Sequence, residues 1–197
     1  MTTRLPSGRH HLSRDEVVGA QRARMLRAAA EVMAEQGYPS ATVAAIIKRA
    51  GVSRETFYQQ FPNKQACFVA ALEAAIDLLA AAVEPPTAGT PLDRFDRFVG
   101  RYLELLAEHS ALARLFLIET YAAGPEAMRR RLELQQHFVE LLVRTFGARS
   151  PRERFACQAL VGSIVSLVTA RFVEGDTGGL AALREPIVGL ARDLLVR

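Results

Sequence analysis

Apolar residues recur along most of this chain three and four positions apart, the spacing that places them on one face of an α-helix. The pattern begins near residue 14 and continues almost to the end, with only a few interruptions by glycine and proline. It predicts helices over residues 14–36, 42–50, 54–60, 63–83, 90–106, 111–121, 126–146, 150–174 and 186–195. The sequence therefore predicts an all-α fold.

Capping residues mark the starts of several of these helices. Ser150, Pro151 and Glu153 combine an N-cap, a proline at the first helical position and a glutamate at the third. Thr90 and Pro91 begin an earlier helix in a similar way. The residues around 85–91 are rich in proline, so we predict a linker there.

Residues 42–64, with the sequence TVAAIIKRAGVSRETFYQQFPNK, carry two short helices that meet at a glycine. Thr42 is placed to cap the first helix, Gly51 stands where a helix ends with positive φ, and Ser53 is placed to cap the second. Phe57 and Phe61 lie one turn apart, which predicts core residues rather than stacking platforms. Two helices joined by so tight a turn predict a helix-turn-helix, which lays its second helix in the major groove of DNA.

The helix of residues 21–36, the segment GYPSATV, the turn AGVS and the run TFYQQFPNK together resemble the N-terminal DNA-binding domain of the TetR family of bacterial transcriptional regulators. The resemblance covers residues 14–75 closely; the rest agrees in length and helical character. It implies a flexible basic arm over 1–13 and a three-helix helix-turn-helix domain over 14–64. A helical effector-binding and dimerisation domain over 65–197 follows.

Helical projection and the resemblance together assign nine residues to DNA contact. They are Thr42, Ser53, Arg54, Glu55, Thr56, Tyr58, Gln59, Gln60 and Lys64. Thr42, Tyr58 and Lys64 are predicted to bind phosphates, which fix the position of the protein on the duplex.

The other polar side chains of the second short helix are suited to hydrogen bonds with the edges of bases. Arg54 can reach guanine O6 and N7 as a fork, and Gln59 or Gln60 can pair with adenine. Glu55 can accept a hydrogen bond from cytosine N4, or can instead stabilise the helix dipole. The family often has an aromatic residue or a histidine where this chain has Gln59 and Gln60, so the operator sequence stays open.

Charge is distributed unevenly along the chain. Residues 1–64 contain 10 Lys and Arg against 5 Asp and Glu, whereas the rest contains 15 against 16. This asymmetry favours a polyanion as the partner of the first third, because binding to phosphates releases counterions. The arm is predicted to be disordered, with insertion of Arg4 and Arg9 into a minor groove as the alternative.

The resemblance implies a small apolar effector of unidentified structure, bound among the middle helices. In the family, such a molecule moves the helix after the DNA reader, here residues 63–83, and changes the separation of two reader helices. Residues that combine an apolar body with a polar handle are the predicted lining: Tyr102, Phe116, Glu119, Gln135 and Phe138.

The last two helices are apolar on most of their surface, which predicts a homodimer formed through them. The alternative is that they complete the core of a monomer. Pro186 either starts or kinks the final helix. Arginines in the first turn of a helix oppose the helix dipole, so the run Arg129–Arg131 predicts side chains that face solvent. The alternative is that these arginines form an anion site.

Other classes of protein are not supported. Cys67 and Cys157 lie in apolar helical patterns, which predicts core residues in a reducing cytoplasm and no disulfide. The chain has no N-terminal export signal and no uninterrupted apolar run of 18 residues, so no membrane insertion is predicted. No metal, cofactor or catalytic set is suggested, because His109 and His137 are isolated.

The sequence therefore predicts a cytoplasmic, ligand-responsive DNA-binding regulator that is not an enzyme. A dimeric repressor on a palindromic operator is the form that the family implies. The alternative is a helical protein-interaction module whose helix-turn-helix no longer reads DNA.

Overall fold

The computed structural model of the protein describes residues 14–82 and 88–196, and within these ranges all regular structure is helical. The helices are α1 (Arg14–Gln36), α2 (Val43–Ala50), α3 (Arg54–Gln60), α4 (Lys64–Ala82), α5 (Pro91–Glu108), α6 (Ser110–Leu117), α7 (Pro125–Phe146), α8 (Pro151–Glu174) and α9 (Arg184–Leu195). Two 3₁₀ segments, Glu119–Tyr121 and Thr177–Leu183, precede α7 and α9. The all-α prediction is confirmed, whereas the predicted arm and residues 85–87 of the predicted linker lie outside the described residues.

The predicted helix caps are present. Thr42, Ser53, Thr90 and Ser150 each accept a hydrogen bond from the backbone N–H three residues further on, at 3.0–3.2 Å. Asn63 does the same for α4 at 2.8 Å. Each cap satisfies an N–H group that the helix leaves without a partner, so the positions at which these helices begin are fixed by local chemistry.

Two details of the helix ends were not predicted or were left open. The helix predicted over residues 111–121 ends at Leu117, because the Thr120 hydroxyl donates to the carbonyls of Leu115 and Phe116 at 3.0 and 2.9 Å and displaces the helical pattern there. Pro186 lies in the first turn of α9, where its missing N–H needs no helical partner, so it belongs to the helix start.

The first three helices pack together and against α4 and α6. α1 packs against α2, α4 and α6, and its residues Met25, Ala29 and Met33 are buried. Phe57 of α3 and Phe68 of α4 are buried in the same continuous cluster. Because α6 contacts α1 directly, the predicted DNA-binding domain shares packing with the second domain. The boundary at residues 64 and 65 stays a prediction, since α4 begins there and runs on into the second part.

The second part is a bundle in which α5 packs against α7 and α9, and α8 packs against α7 and α9. Arg184 of α9 donates to both carboxylate oxygens of Asp96 on α5 at 2.8 Å, which holds the pKa of Asp96 below its usual value. Gly100 makes room for this pair, because a Cβ there would lie 3.0 Å from the Arg184 guanidinium carbon. In the described part of the chain, α8 alone is long and apolar enough to cross a membrane by length and composition, and only 33% of its most apolar window is buried.

Candidate nucleic-acid interface

The apolar side of α3 fixes this helix on the protein. Phe57 and Phe61 are buried with ring centroids 5.6 Å apart, in the same cluster as Ile46 of α2. Gly51 ends α2 with a φ of 63°, in the region that favours glycine. The prediction that the two phenylalanines belong to the core is confirmed, and the turn leaves α3 anchored through one face.

The opposite side of α3 is polar and open to solvent. The exposed residues are Arg54, Glu55, Tyr58 and Gln59, and Thr56 and Gln60 are half-buried. The Arg54 guanidinium carbon lies 5.4 Å from the centroid of the Tyr58 ring, and the Gln59 amide donates to the Glu55 carboxylate at 3.3 Å. Glu55 lies in the first turn of α3, where a carboxylate also stabilises the helix dipole. This face presents donors, an acceptor and an aromatic ring on one short helix.

The N-termini of α2 and α3 are also exposed, with Thr42 and Ser53 as their caps. Arg49 at the end of α2 is used differently. Its guanidinium donates to both carboxylate oxygens of Glu35 at 2.9 and 2.7 Å and to Glu31 at 3.2 Å. These hydrogen bonds lower the pKa of Glu35 and connect α2 to α1, so the charge of Arg49 is already compensated within the protein.

The environment of Lys64 differs from the predicted one. Its ammonium donates to the carbonyls of Tyr38, Pro39 and Ala41 at 2.7, 3.3 and 2.9 Å and lies 4.4 Å from the centroid of the Tyr38 ring. An ammonium has three donors, and all three are engaged here. Lys64 therefore closes the turn between α1 and α2, and a phosphate contact would require these hydrogen bonds to break.

Replacing Lys64 by methionine is expected to lower the free energy of unfolding by about 1–3 kcal/mol, because partly buried carbonyls lose a charged donor. Urea unfolding followed by circular dichroism measures this loss. Lys48→Met is the matched control, since Lys48 is exposed on α2 and should change stability little. Equal stability of the two variants would contradict the structural role of Lys64.

The five predicted effector-lining residues do not come together in one site. Tyr102 and Phe138, with ring centroids 6.1 Å apart, line a narrow cleft between α5, α7 and α8, in which a volume of about 20 Å³ is free for the centre of a water-sized sphere. Phe116 lines a second narrow cavity between α4, α5 and α6, which is equally small, with about 20 Å³ free for the centre of a water-sized sphere. Gln135 lies in a wide surface groove along α7.

The other residues of the first cleft are apolar, and the sequence analysis did not single them out as a site. They are Phe98, Val99, Leu142, Val161, Ile164 and Val165. Their helical spacing is the same as that of core residues, so periodicity carried no signal that could separate the two.

Glu119 connects the two parts of the chain instead of facing the first cleft. Its buried carboxylate accepts a hydrogen bond from the Tyr38 N–H at 2.7 Å, and its other oxygen lies 3.9 Å from Nε of Arg114. Close by, the Gln65 amide at the start of α4 donates to the carbonyl of Ala123 at 3.5 Å. The turn that precedes α2 is therefore hydrogen-bonded to the segment that follows α6.

Both cysteines are buried and unpaired. Burial raises the pKa of Cys67 to about 12 and raises that of Cys157 above its usual value. A thiol with a raised pKa stays protonated at neutral pH and is a poor nucleophile, which supports the predicted core role of both. Across residues 14–82 and 88–196, no group of three or more His, Cys, Asp or Glu side chains could hold a metal ion.

Comparison with known proteins places this helical arrangement among bacterial regulators. The model of the family described as "Bacterial regulatory proteins, tetR family" matches residues 25–71. The chain is 28% identical over 169 residues to the transcriptional activator FasR of Mycolicibacterium smegmatis, which covers 83% of this chain and 74% of FasR. It is 27% identical over 116 residues to the transcriptional regulator RutR of Escherichia coli, covering 58% of this chain and 55% of RutR.

Solved structures agree in fold. The fatty acid degradation regulator FadR from Bacillus halodurans superimposes with a TM-score of 0.70 at 24% identity and covers 85% of this chain and 96% of its own. FadR from Bacillus subtilis, solved in complex with stearoyl-CoA, has a TM-score of 0.70 at 20% identity and covers 88% and 97%. These relatives are transcriptional regulators and not enzymes.

Proposed function

Because this chain belongs to the TetR family of bacterial regulators, we propose that it is a ligand-responsive transcriptional repressor that binds a palindromic operator as a dimer. The observation that carries the proposal is α3, which is capped, anchored by buried phenylalanines and polar on its outer face. Such a helix can enter a major groove without a change of fold, and cytoplasmic residence follows from binding to chromosomal DNA.

Base reading is assigned to the exposed side chains of α3. Arg54 is the candidate for guanine, Gln59 and Gln60 for adenine, and Glu55 for cytosine. Tyr58 and the caps Thr42 and Ser53 are the candidates for phosphate and sugar contacts, with Thr56 beside them. Lys64 supports the reader indirectly, by holding the turn before α2.

Dimerisation is assigned to α8 and α9. Phe155 and Val173 of α8 are 69% and 67% exposed, and Leu190, Leu194 and Val196 at the chain end are exposed too. Small residues, Ala159, Gly162 and Ala170, lie between the two large ones on α8 and permit close approach of another helix. A two-fold dimer would place two copies of α3 about 34–36 Å apart, one turn of DNA.

The effector is assigned to the cleft between α5, α7 and α8, the apolar concavity that contains Tyr102 and Phe138. The route to DNA runs through α6, which packs on α1, and through the bond from Glu119 to the Tyr38 N–H. α6 contacts α5 and α8, two helices of the cleft, and it also contacts α4, the predicted lever. Movement of α4 and α6 on effector binding would displace the turn before α2 and alter the separation of the two reader helices.

Selection of duplexes from a random DNA pool, with the purified protein at two salt concentrations, tests the proposal. We expect an enriched palindrome with half-sites one or more helical turns apart. Arg54→Ala should weaken binding by about 1–3 kcal/mol and relax preference at one position of each half-site. Arg144→Ala on α7 is the control, because Arg144 is exposed and lies outside both the reading helix and the two helices assigned to the dimer interface.

The same experiment distinguishes the proposed regulator from the alternative, a protein-interaction module that does not read DNA. Sequence-blind binding or no binding at either salt concentration would favour that alternative. The direction of regulation needs a promoter assay, since the relative FasR is named as an activator. Transcription that rises when this protein is removed would support repression.

A further inference from the structure

Arginines that are removed from water in this protein have polar partners within it. Arg131 near the start of α7 is 4% exposed, and its guanidinium donates to the carbonyl of Leu117 at 3.2 Å. The neighbouring Arg129 and Arg130 are ion-paired with Glu133 at the surface, at 2.7 and 3.2 Å. The predicted solvent-facing run is therefore correct for these two and wrong for Arg131.

Arg22 on α1 is the exception. Its side chain is half-buried, with the guanidinium carbon 4.6 Å from the centroid of the Phe61 ring, yet it has no hydrogen bond or ion pair in the described part of the chain. By contrast, the half-buried Arg94, Arg114 and Arg171 each donate to a carbonyl or carboxylate oxygen. A cation that is partly removed from water without an acceptor is costly, so Arg22 has an unused capacity to bind an anion.

The contact with Phe61 holds Arg22 in place without using its donors. Phe61 is the C-cap of α3 and is 2% exposed, so its ring is fixed by the core. The ring attracts the guanidinium through its π face, whereas the N–H groups lie in the guanidinium plane and stay free. Arg22 also lies one turn before Leu26, which packs against the core and fixes α1 beneath it. The charge is therefore preorganised beside the end of α3.

The end of α3 at which Arg22 lies is the end expected to face the DNA backbone. α3 has seven residues, which makes it about 10 Å long, close to the width of about 12 Å of the major groove. In a helix-turn-helix the N-terminal residues of the second helix reach base edges, so its C-terminal end lies toward the edge of the groove, where the phosphates are. Arg54 stands at the first end of α3, and Arg22 lies beside the other.

We propose that the Arg22 guanidinium binds a backbone phosphate at the edge of the major groove that α3 enters. This inference rests on the proposed function and adds a DNA contact supplied by α1. A guanidinium offers two parallel N–H donors that match two phosphate oxygens. Two other cations of the reader are already engaged, since Arg49 is bound to Glu31 and Glu35 and Lys64 to three carbonyls. The contact fixes the position of α3 and reads no base.

Titration of the full-length protein with two fluorescent duplexes of equal length, the selected operator and an unrelated sequence, at several salt concentrations tests the proposal. Arg22→Met keeps an unbranched side chain over Phe61 and removes the charge. We expect it to weaken binding to both duplexes about 10-fold and to reduce the salt slope of the affinity by about 1. Arg22→Lys should restore the slope, because a cation remains.

A matched control and a modified operator make the result specific. Arg27→Met removes an exposed arginine from a different side of α1 and should keep the wild-type affinity and salt slope. Replacing single phosphates of the operator by neutral methylphosphonates locates the contact. One replacement in each half-site should weaken the wild type about 10-fold and leave Arg22→Met unchanged. An arginine that only covered Phe61 would not produce this pairing of one phosphate with one residue.

Urea unfolding checks that each variant is folded, and Arg22→Gln replaces Arg22→Met if the latter is not. A protein that selects a palindrome while its neutral Arg22 variant keeps the wild-type salt slope would keep the proposed function and lose this inference. A protein that binds all duplexes equally, with a salt slope that depends on Arg22, would do the reverse. Absence of binding to any duplex would overturn both.

Discussion

Replacing Phe57 by alanine is expected to abolish operator binding and to lower the free energy of unfolding by about 3–5 kcal/mol. Phe57 is fully buried, and its ring contacts those of Tyr58 and Phe61 at centroid distances of 5.4 and 5.6 Å. α3 has seven residues, too few to be stable without packing, so loss of its anchor removes the reading surface itself. Urea unfolding and a DNA mobility-shift titration measure the two effects.

Tyr58→Ala is the matched control, one position along the same helix. Tyr58 is 44% exposed, so its removal should change stability by about 1 kcal/mol or less. DNA affinity should still fall, because a candidate phosphate contact is lost. The pair thus separates anchoring from reading. If Phe57→Ala bound the operator as tightly as the wild type, α3 would not be the reading helix.

Glutamates at both Phe155 and Val173 are expected to convert the protein to a monomer and to lower operator affinity by about 100-fold or more. Each protomer would place two like charges, and the dimer four, at the two-fold interface where two large apolar side chains per protomer now stand. A single copy of α3 then binds one half-site without help from a second. Sedimentation and mobility-shift titration measure the mass and the affinity.

Ala107→Glu supplies the control for added charge. Ala107 is exposed near the end of α5, outside the two helices assigned to the interface. This variant should remain dimeric and bind the operator normally. A double variant that stayed dimeric would show that α8 does not form the interface. The exposed apolar face of α8 would then need another explanation.

The fold of the helix-turn-helix could be predicted almost residue by residue because its determinants are local. Thr42, Gly51 and Ser53 act within three positions of themselves, through caps and a left-handed turn, and these are visible in the letters of the sequence. The inward placement of Phe57 and Phe61 follows from helical spacing in the same way.

The roles that the sequence did not reveal depend on contacts distant along the chain. The acceptors of Lys64 lie 23–26 residues earlier, and the partner of Glu119 lies 81 residues away. Arg131 adjoins two arginines that face solvent, and nothing in the run distinguishes it until α7 is packed against α6. Cleft and core share one apolar pattern, so the cavity became visible only from the packing of three helices.

The bond between the two parts of the molecule has a consequence for divergence. Glu119 accepts its hydrogen bond from the main chain at Tyr38, so the joint does not require a particular side chain at the first partner. If α3 reads DNA as proposed, its exposed side chains can change operator preference while the connection to the second part of the chain persists. Exchange of whole domains between relatives is limited in a different way. A DNA-binding domain joined to the second part of another protein would keep this hydrogen bond only if that part has a carboxylate at the position of Glu119, after α6.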